Sequence, residues 1–339
     1  MTELSRRDFL RSAGMFGVGF AATGLQQDET GIQPMGPVTH WWGEPLGRIL
    51  LNVMTVYEQP SWQAKPTGVF YYYNDVVQVL SAVGGEGLYH TNHTWLQTPD
   101  GYIYSSWVQP ANSYFNPVVP IGEGGAWGVV TVPMSSARSG PSDEAYRRHW
   151  MHYNTVSRVV GLENDYYLVQ EIYGYQYWVK AAHMRIIPPE EVAPISTHVP
   201  AEAKRIEISI GEQRLYALEG EAVVYSAPVS TGAPGFNTPH GEWSVIDKRH
   251  SQRMTGGVGA GAYNLPGIPW ISYFTYGWVA LHGCYWHNDY GRLHSNGCIN
   301  LRPEDSKWLF RWTTPQANYW DFRTLATPDN PGTRIITRW

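Results

Sequence analysis

Apolar residues in this chain recur with a period of two over short spans. Glycine, proline or asparagine cuts nearly every span before it grows long. Arg205-Ile206-Glu207-Ile208-Ser209-Ile210 alternates without a break and stops at Gly211. Gly101-Tyr102-Ile103-Tyr104 and Tyr167-Leu168-Val169 are of the same kind. Alternation bounded by turn formers marks half-buried strands. No stretch before residue 200 demands a long helix, so the chain reads as mainly β. The 23 Tyr, 16 Trp and 35 Gly among 339 residues fit this, because aromatics pack well on pleated sheets and glycine supplies turns. At 16% charged residues, a coiled coil or a charge-rich disordered chain is excluded.

The length allows two or three domains. A net charge of −5 offers no basic footprint, so no nucleic-acid partner is expected. No apolar run reaches the ~18 residues of a spanning helix, so no transmembrane helix is expected in the mature chain. A Gly-rich phosphate loop followed by Lys and Ser or Thr is absent, and no cofactor is expected. Two cysteines cannot build a disulfide framework.

Residues 1–30 open with Ser5-Arg6-Arg7-Asp8-Phe9-Leu10, followed by a short Gly-rich apolar stretch from Ala13 to Leu25. This resembles a twin-arginine export signal, which implies a working protein outside the cytoplasm, at the wall. Two blocks then repeat an order of events. Val53–Tyr57, Phe70–Tyr73, Val76–Leu80, Trp95-Leu96-Gln97, Gly101–Tyr104 and Val108-Gln109-Pro110 make up the first. The second pairs with it through Val129–Val132, Trp150–Tyr153, Val156–Val160, Tyr167–Val169, Gly174–Val179 and Met184–Ile187. Each block resembles a bacterial SH3-like β-barrel, with expected bounds of 46–116 and 125–188. Such a barrel serves either to bind wall peptide or as a spacer. Pro188, Pro189, Pro194 and Pro200 mark a linker over 189–203 and favour an extended spacer. The last domain is expected over 204–339. Its one helical stretch is Pro303 to Trp312, with Pro303 near N1 and Glu304-Asp305 in the first turn. Trp308, Leu309 and Trp312 share a face there.

The chemistry concentrates in Leu281-His282-Gly283-Cys284-Tyr285-Trp286-His287 and Gly291-Arg292-Leu293-His294-Ser295-Asn296-Gly297-Cys298-Ile299-Asn300-Leu301. A thiol attacks as thiolate, and an ordinary cysteine is little ionised at neutral pH. A nearby imidazole can take its proton and hold the ion pair. His282 and Cys298 are spaced to sit on two adjacent strands joined by a loop. Gly297 permits close approach of a carbonyl and a turn whose successive N–H groups point at one spot, as an oxyanion hole requires.

His-Gly followed by Ser-x-Gly-Cys-Ile-Asn-Leu resembles the L,D-transpeptidase family, with its YkuD-type β-sandwich catalytic domain. Gln213-Arg214-Leu215, Val229-Ser230-Thr231-Gly232 and Thr238-Pro239-x-Gly241 also match. The family usually has His where this chain has Asn296. The resemblance implies peptidoglycan stem peptides as partners. It implies Cys298 as nucleophile, His282 as its base, and the carbonyl of Gly283 orienting His282. Backbone N–H groups around Asn296, Gly297 and Cys298 would meet the oxyanion, and Ser295 would brace the turn. The product is a 3→3 cross-link, or a trimmed stem if water is the acceptor. Asn300 of the motif is grouped with the substrate-binding residues. Met254, Tyr263, Trp270 and Tyr273 are expected to form a lid or donor groove, against the alternative of core packing.

Three rival readings stand beside this one. His282, Cys284, His287, His294 and Cys298 are all zinc-ligand types, although their spacing matches no standard structural zinc pattern, and no metal is expected. A Cys284–Cys298 disulfide is chemically open to an exported protein and would act as a redox latch. Asn296 leaves room for a non-catalytic wall-binding protein.

Overall fold

The computed structural model describes residues 3–4, 45–257 and 262–339, and the chain is mainly β. The twin-arginine segment lies outside the described residues, except for Glu3–Leu4, whose backbone pairs with Ala82 and Val83.

Residues 45–111 fold as two sheets around one core. Leu46–Ile49 pairs with both Val76–Gln78 and Val108–Ala111. A second sheet runs Ser81–Tyr89, Asn92–Thr98, Gly101–Tyr104, Val53–Tyr57, Pro66–Tyr72 in spatial order. Ile49, Met54, Val56, Leu96, Ile103 and Val108 fill the space between. Residues 126–187 form one seven-stranded sheet, with Val130, Ala137, Met151, Val159, Tyr167 and Val179 inside.

The repeat is visible in the topology. In each unit the first strand pairs antiparallel with the last, Leu46–Ile49 with Val108–Ala111 and Ala126–Val130 with Met184–Ile187. A 3-10 turn precedes each last strand, Ser105–Trp107 and Ala181–His183. One pairing of the sequence reading is corrected. Val129–Val132 matches Leu46–Ile49 rather than Val53–Tyr57, whose counterpart is Met134–Arg138. The inward residues of that strand are Ser135 and Ala137, too small to register as hydrophobic alternation.

The Pro-rich linker is not an extended spacer. Pro189–Val192 makes a helical turn, with proline at N1 where its missing N–H costs nothing. Val192 is buried with Trp270 and Phe310. Ile195 N–H donates to the Arg311 carbonyl at 3.1 Å, and Arg311 Nε donates to Ala193 O at 2.9 Å. Proline breaks a regular helix, yet its rigid backbone also docks at little entropic cost.

The remaining strands make a sandwich. One sheet runs Ala222–Pro228, Arg214–Glu219, Lys204–Ser209, Arg334–Arg338, Gly241–Ser244, and the other Ile299–Leu301, Ala280–Gly283, Tyr263–Tyr273, Asp247–Gly256, Thr324–Leu325. Ile206, Ile208, Leu215 and Ile335 from the first sheet meet Leu281, Ile299 and Leu301 from the second. Helix Pro303–Trp312 closes this core with Leu309 and Trp312, and Trp308 packs beside them. Trp308 also stacks on Tyr225 with ring centroids 4.1 Å apart.

Candidate active site

Ala280–Gly283 and Ile299–Leu301 run parallel, with Leu281 opposite Ile299, His282 opposite Asn300 and Gly283 opposite Leu301. Side chains alternate between the two faces of a strand. Leu281, Ile299 and Leu301 enter the sandwich core, so His282, Asn300 and Cys298 belong to the other face. His282 and Cys298 are thus diagonal neighbours across one parallel pair. Cys298 is half-buried and packs against the cluster of Ile268, Ile271, Tyr273, Ala280 and Tyr285. Its Sγ lies 3.8 Å from the Trp278 carbonyl.

His282 is buried, and its Nδ1 lies 3.2 Å from the Gly283 carbonyl. If that carbonyl accepts an N–H, the proton sits on Nδ1 and leaves Nε2 as the base. Gly283 has no room for a side chain, since a Cβ there would stand 2.7 Å from Pro269 Cγ and 2.8 Å from Ser306 Oγ.

The turn before the thiol is held from several sides. Ser295 Oγ donates to the Cys298 carbonyl at 2.5 Å and accepts the Gly297 N–H at 3.0 Å. Gly297 sits at φ +110°, which glycine tolerates far better than other residues. Thr238 Oγ1 donates to the Gly297 carbonyl at 2.8 Å and accepts the Gly232 N–H at 3.0 Å. Gln213 takes the Thr231 N–H on Oε1 at 2.9 Å and donates from Nε2 to Thr231 Oγ1 at 2.6 Å. Three motifs far apart in sequence therefore converge on one scaffold. One expectation changes here. The Gly297 N–H is already given to Ser295, which leaves the N–H groups of Asn296 and Cys298 for an oxyanion. Asn296 itself is exposed.

Burial governs the electrostatics. It pushes the Cys298 thiol up to about 11, opposed by a hydrogen bond from the Ala280 backbone. It pushes His282 down to about 4, opposed by the Gly283 carbonyl. Both shifts favour the neutral forms, so a resting thiolate–imidazolium pair, anticipated from the sequence, is disfavoured. The arrangement suits transfer of the thiol proton during attack.

The groove residues separate. Tyr273 stays near the thiol, its ring edge-on to Trp278 at 5.5 Å and its hydroxyl 3.1 Å from Gln252 Oε1. Met254 packs against the same cluster, while Tyr263 lies over Gly256 at the far end of the hairpin. Trp270 is elsewhere: it is buried with Trp127, Val156 and Phe310, on the side facing the 126–187 sheet. Its φ is +58°, in the left-handed region, and of the two readings offered for it core packing is the one observed. Asn300 is buried too, its Nδ2 2.8 Å from His287 Nε2 and its backbone paired with Ser230. This is an internal contact rather than a substrate-facing one.

Trp278 was not singled out from sequence. It is 60% exposed at φ +67°, directly beside the thiol. A tryptophan after Gly277 in a turn was the available signal.

The disulfide latch does not fit. Cys298 stands across from Ala280 in the register, and Cys284 lies four residues further along, about 13 Å at strand rise. A disulfide needs Cα atoms within about 7 Å. Both cysteines are free, and burial pushes Cys284 up to about 12. Among the described residues, no group of three or more His, Cys, Asp or Glu converges so as to hold a metal ion. None of the helices there is long and apolar enough to cross a membrane.

Residues 203–336 match the model of the L,D-transpeptidase catalytic domain, YkuD. No curated protein matches the chain. Among solved structures, a mutant of the Enterococcus faecium L,D-transpeptidase is 20% identical, covering 40% of this chain and 50% of its own, with a TM-score of 0.32. An L,D-transpeptidase from Mycobacterium smegmatis is 18% identical over 54% of this chain and 82% of its own, with a TM-score of 0.34. Mycobacterium tuberculosis L,D-transpeptidase 1 is 19% identical over 48% and 77%, with a TM-score of 0.30. The chain spans about half the length of the enterococcal chain it matches.

Proposed function

We propose that the protein is an exported, wall-associated L,D-transpeptidase, with SH3-like units at 46–116 and 125–188 and its catalytic domain at 204–339. Cys298 attacks the carbonyl between the third residue of a tetrapeptide stem, a diamino acid, and its terminal D-alanine. His282 takes the thiol proton during attack and returns it to the leaving nitrogen, so D-alanine departs with a neutral amine and a thioester remains. The N–H groups of Cys298 and Asn296 meet the tetrahedral oxyanion. One such donor contributes about 3 kcal/mol in comparable sites. The side-chain amine of a neighbouring stem then attacks the thioester, and the thiol is released as a 3→3 cross-link forms.

The observation that supports this reading is the parallel pairing of Leu281-His282-Gly283 with Ile299-Asn300-Leu301, the strand that directly follows Cys298, with the Gly283 carbonyl at Nδ1 of His282. The family match over residues 203–336 supports the substrate class. The test is incubation with disaccharide-tetrapeptide under reducing conditions, followed by mass spectrometry. Loss of one D-alanine with formation of a dimer is the expected result, and Cys298→Ala abolishes it. A trimmed monomer alone makes water the acceptor and the protein an L,D-carboxypeptidase. No release by the native protein leaves a non-catalytic wall binder and overturns the proposal.

A further inference from the structure

The loop of residues 284–298 joins the His282 strand to Cys298 and, through Tyr285 and Trp286, packs over the paired strands that carry them. It is held from outside by the 45–111 unit at three points. Arg48 Nη2 donates to the Tyr285 carbonyl at 2.9 Å. Asn288 N–H donates to the Ser106 carbonyl at 3.1 Å and its Nδ2 to Ser105 O at 3.3 Å. The Arg292 guanidinium sits 3.2 Å from the centroid of the Tyr89 ring while pairing with Asp289 at 2.7 Å.

Arg48 is the costly member of this set. It is 1% exposed, and its guanidinium donates to Gln109 Oε1 at 2.7 Å, Asn74 Oδ1 at 2.7 Å and Tyr285 O, with the Tyr73 hydroxyl as a further partner and no carboxylate among the described residues that face it. A buried cation without a carboxylate is expensive, and it persists only where its acceptors are rigidly arranged. Gln109, in turn, donates to the Tyr153 carbonyl at 2.8 Å, which ties the 126–187 sheet to the same junction. A unit that only set a height would need none of this.

Contacts continue inward from the loop to the reacting groups. Trp286, next to Tyr285, has its ring 5.7 Å from that of His282 and packs with Cys298 in one cluster. Asp289 N–H donates to His287 Nδ1 at 3.3 Å, and His287 Nε2 meets Asn300, the register partner of His282. Ser230 Oγ secures the Asp289 carbonyl at 2.9 Å.

We propose that the 45–111 unit is a clamp on the 284–298 loop, and that Arg48 is a positioning residue for the Cys298–His282 pair. This rests on the reading that these two residues react. Removing the guanidinium frees the Tyr285 carbonyl, lets Tyr285-Trp286 shift, and admits water to His282.

The test uses the full chain and four proteins: native, Arg48→Met, Arg48→Lys and Asn288→Ala. Alkylation of residue 298 by iodoacetamide is followed by peptide mapping across pH, alongside D-alanine release from tetrapeptide. Unfolded molecules would alkylate in a separate fast phase with an ordinary thiol pH profile, whereas a displaced loop changes the rate constant of the folded phase. We expect Arg48→Met to lower kcat at least tenfold with KM within twofold. The acid limb of its pH profile should move upward as His282 is hydrated. Arg48→Lys should recover part of this, since it offers a charge without the planar fork. Asn288→Ala, the milder change, should move both readouts the same way by a smaller factor. Native rate constants and pH profile in both Arg48→Met and Asn288→Ala would overturn the clamp. If the native protein releases no D-alanine while the variants still shift the alkylation profile, the transpeptidase reading fails and the clamp stands.

Discussion

At the scale of residues, the thiol and imidazole gain their character from desolvation rather than from each other. Charging either in this pocket removes it from water, and the contacts to the Ala280 amide and Gly283 carbonyl compensate only in part. Both shifts run toward the neutral forms. Alkylation of Cys298 should keep rising from pH 7 to above 9, approaching a thiol near 11, instead of levelling off near neutrality. A plateau below pH 7 would mean that a preformed ion pair exists after all. Asn296 bears on this only weakly. It is exposed, so Asn296→His should change D-alanine release by less than about threefold, roughly 0.6 kcal/mol. A larger gain would show that a ring at this position enters the reaction.

At the scale of elements, Ser295 is bridged through its backbone to Thr231 and Ala233, and the turn that follows it to Cys298 is held by hydroxyl side chains. Thr238 bridges the N–H of Gly232 and the carbonyl of Gly297, both buried. Thr238→Val keeps the shape and leaves both groups unsatisfied, at about 1–3 kcal/mol each. The expected result is a melting midpoint lower by several degrees and slower alkylation of Cys298. Unchanged melting and unchanged alkylation would place the support of the turn elsewhere. Gly232 is the stricter position, because a Cβ there would lie 1.9 Å from the Phe236 carbonyl.

At the scale of the whole molecule, three partly or fully buried histidines lie where the units meet. Trp127, Val156, Ile187 and Val192 meet Trp270, Phe310 and Tyr319 in one core. His250 lies among them, stacked on Trp127 at 4.7 Å, and burial pushes it down to about 3. His149, beside Arg253, and His152, beside Tyr285, are likewise pushed down by burial to about 3. Each stays neutral in the fold yet takes a proton near pH 6.5 once unfolded. Their contribution is thus fully present above that pH and is lost as pH falls toward about 3, by at most about 1.4 kcal/mol per pH unit for each group. Thermal unfolding should show a midpoint falling steeply from pH 6.5 to about 4, and His250→Phe should flatten the slope. An identical slope in that variant would show that other groups drive acid unfolding.

Much of this molecule was legible in linear order. Strand alternation, the helix with its proline start and the Ser295–Cys298 motif are local, because they depend on side-chain period and turn chemistry within a few residues. Trp270, Trp278 and the Met134–Arg138 strand were misread or missed. A positive φ reverses a side chain without altering composition, and a strand with small inward residues carries no hydrophobic signal. Only the tertiary structure decided that the linker is docked, that Arg48 reaches the carbonyl of Tyr285, and that burial pushes the thiol up and the imidazole down. Those properties come from burial and from contacts across as many as 237 positions of chain, and neither is written in any local pattern of residues.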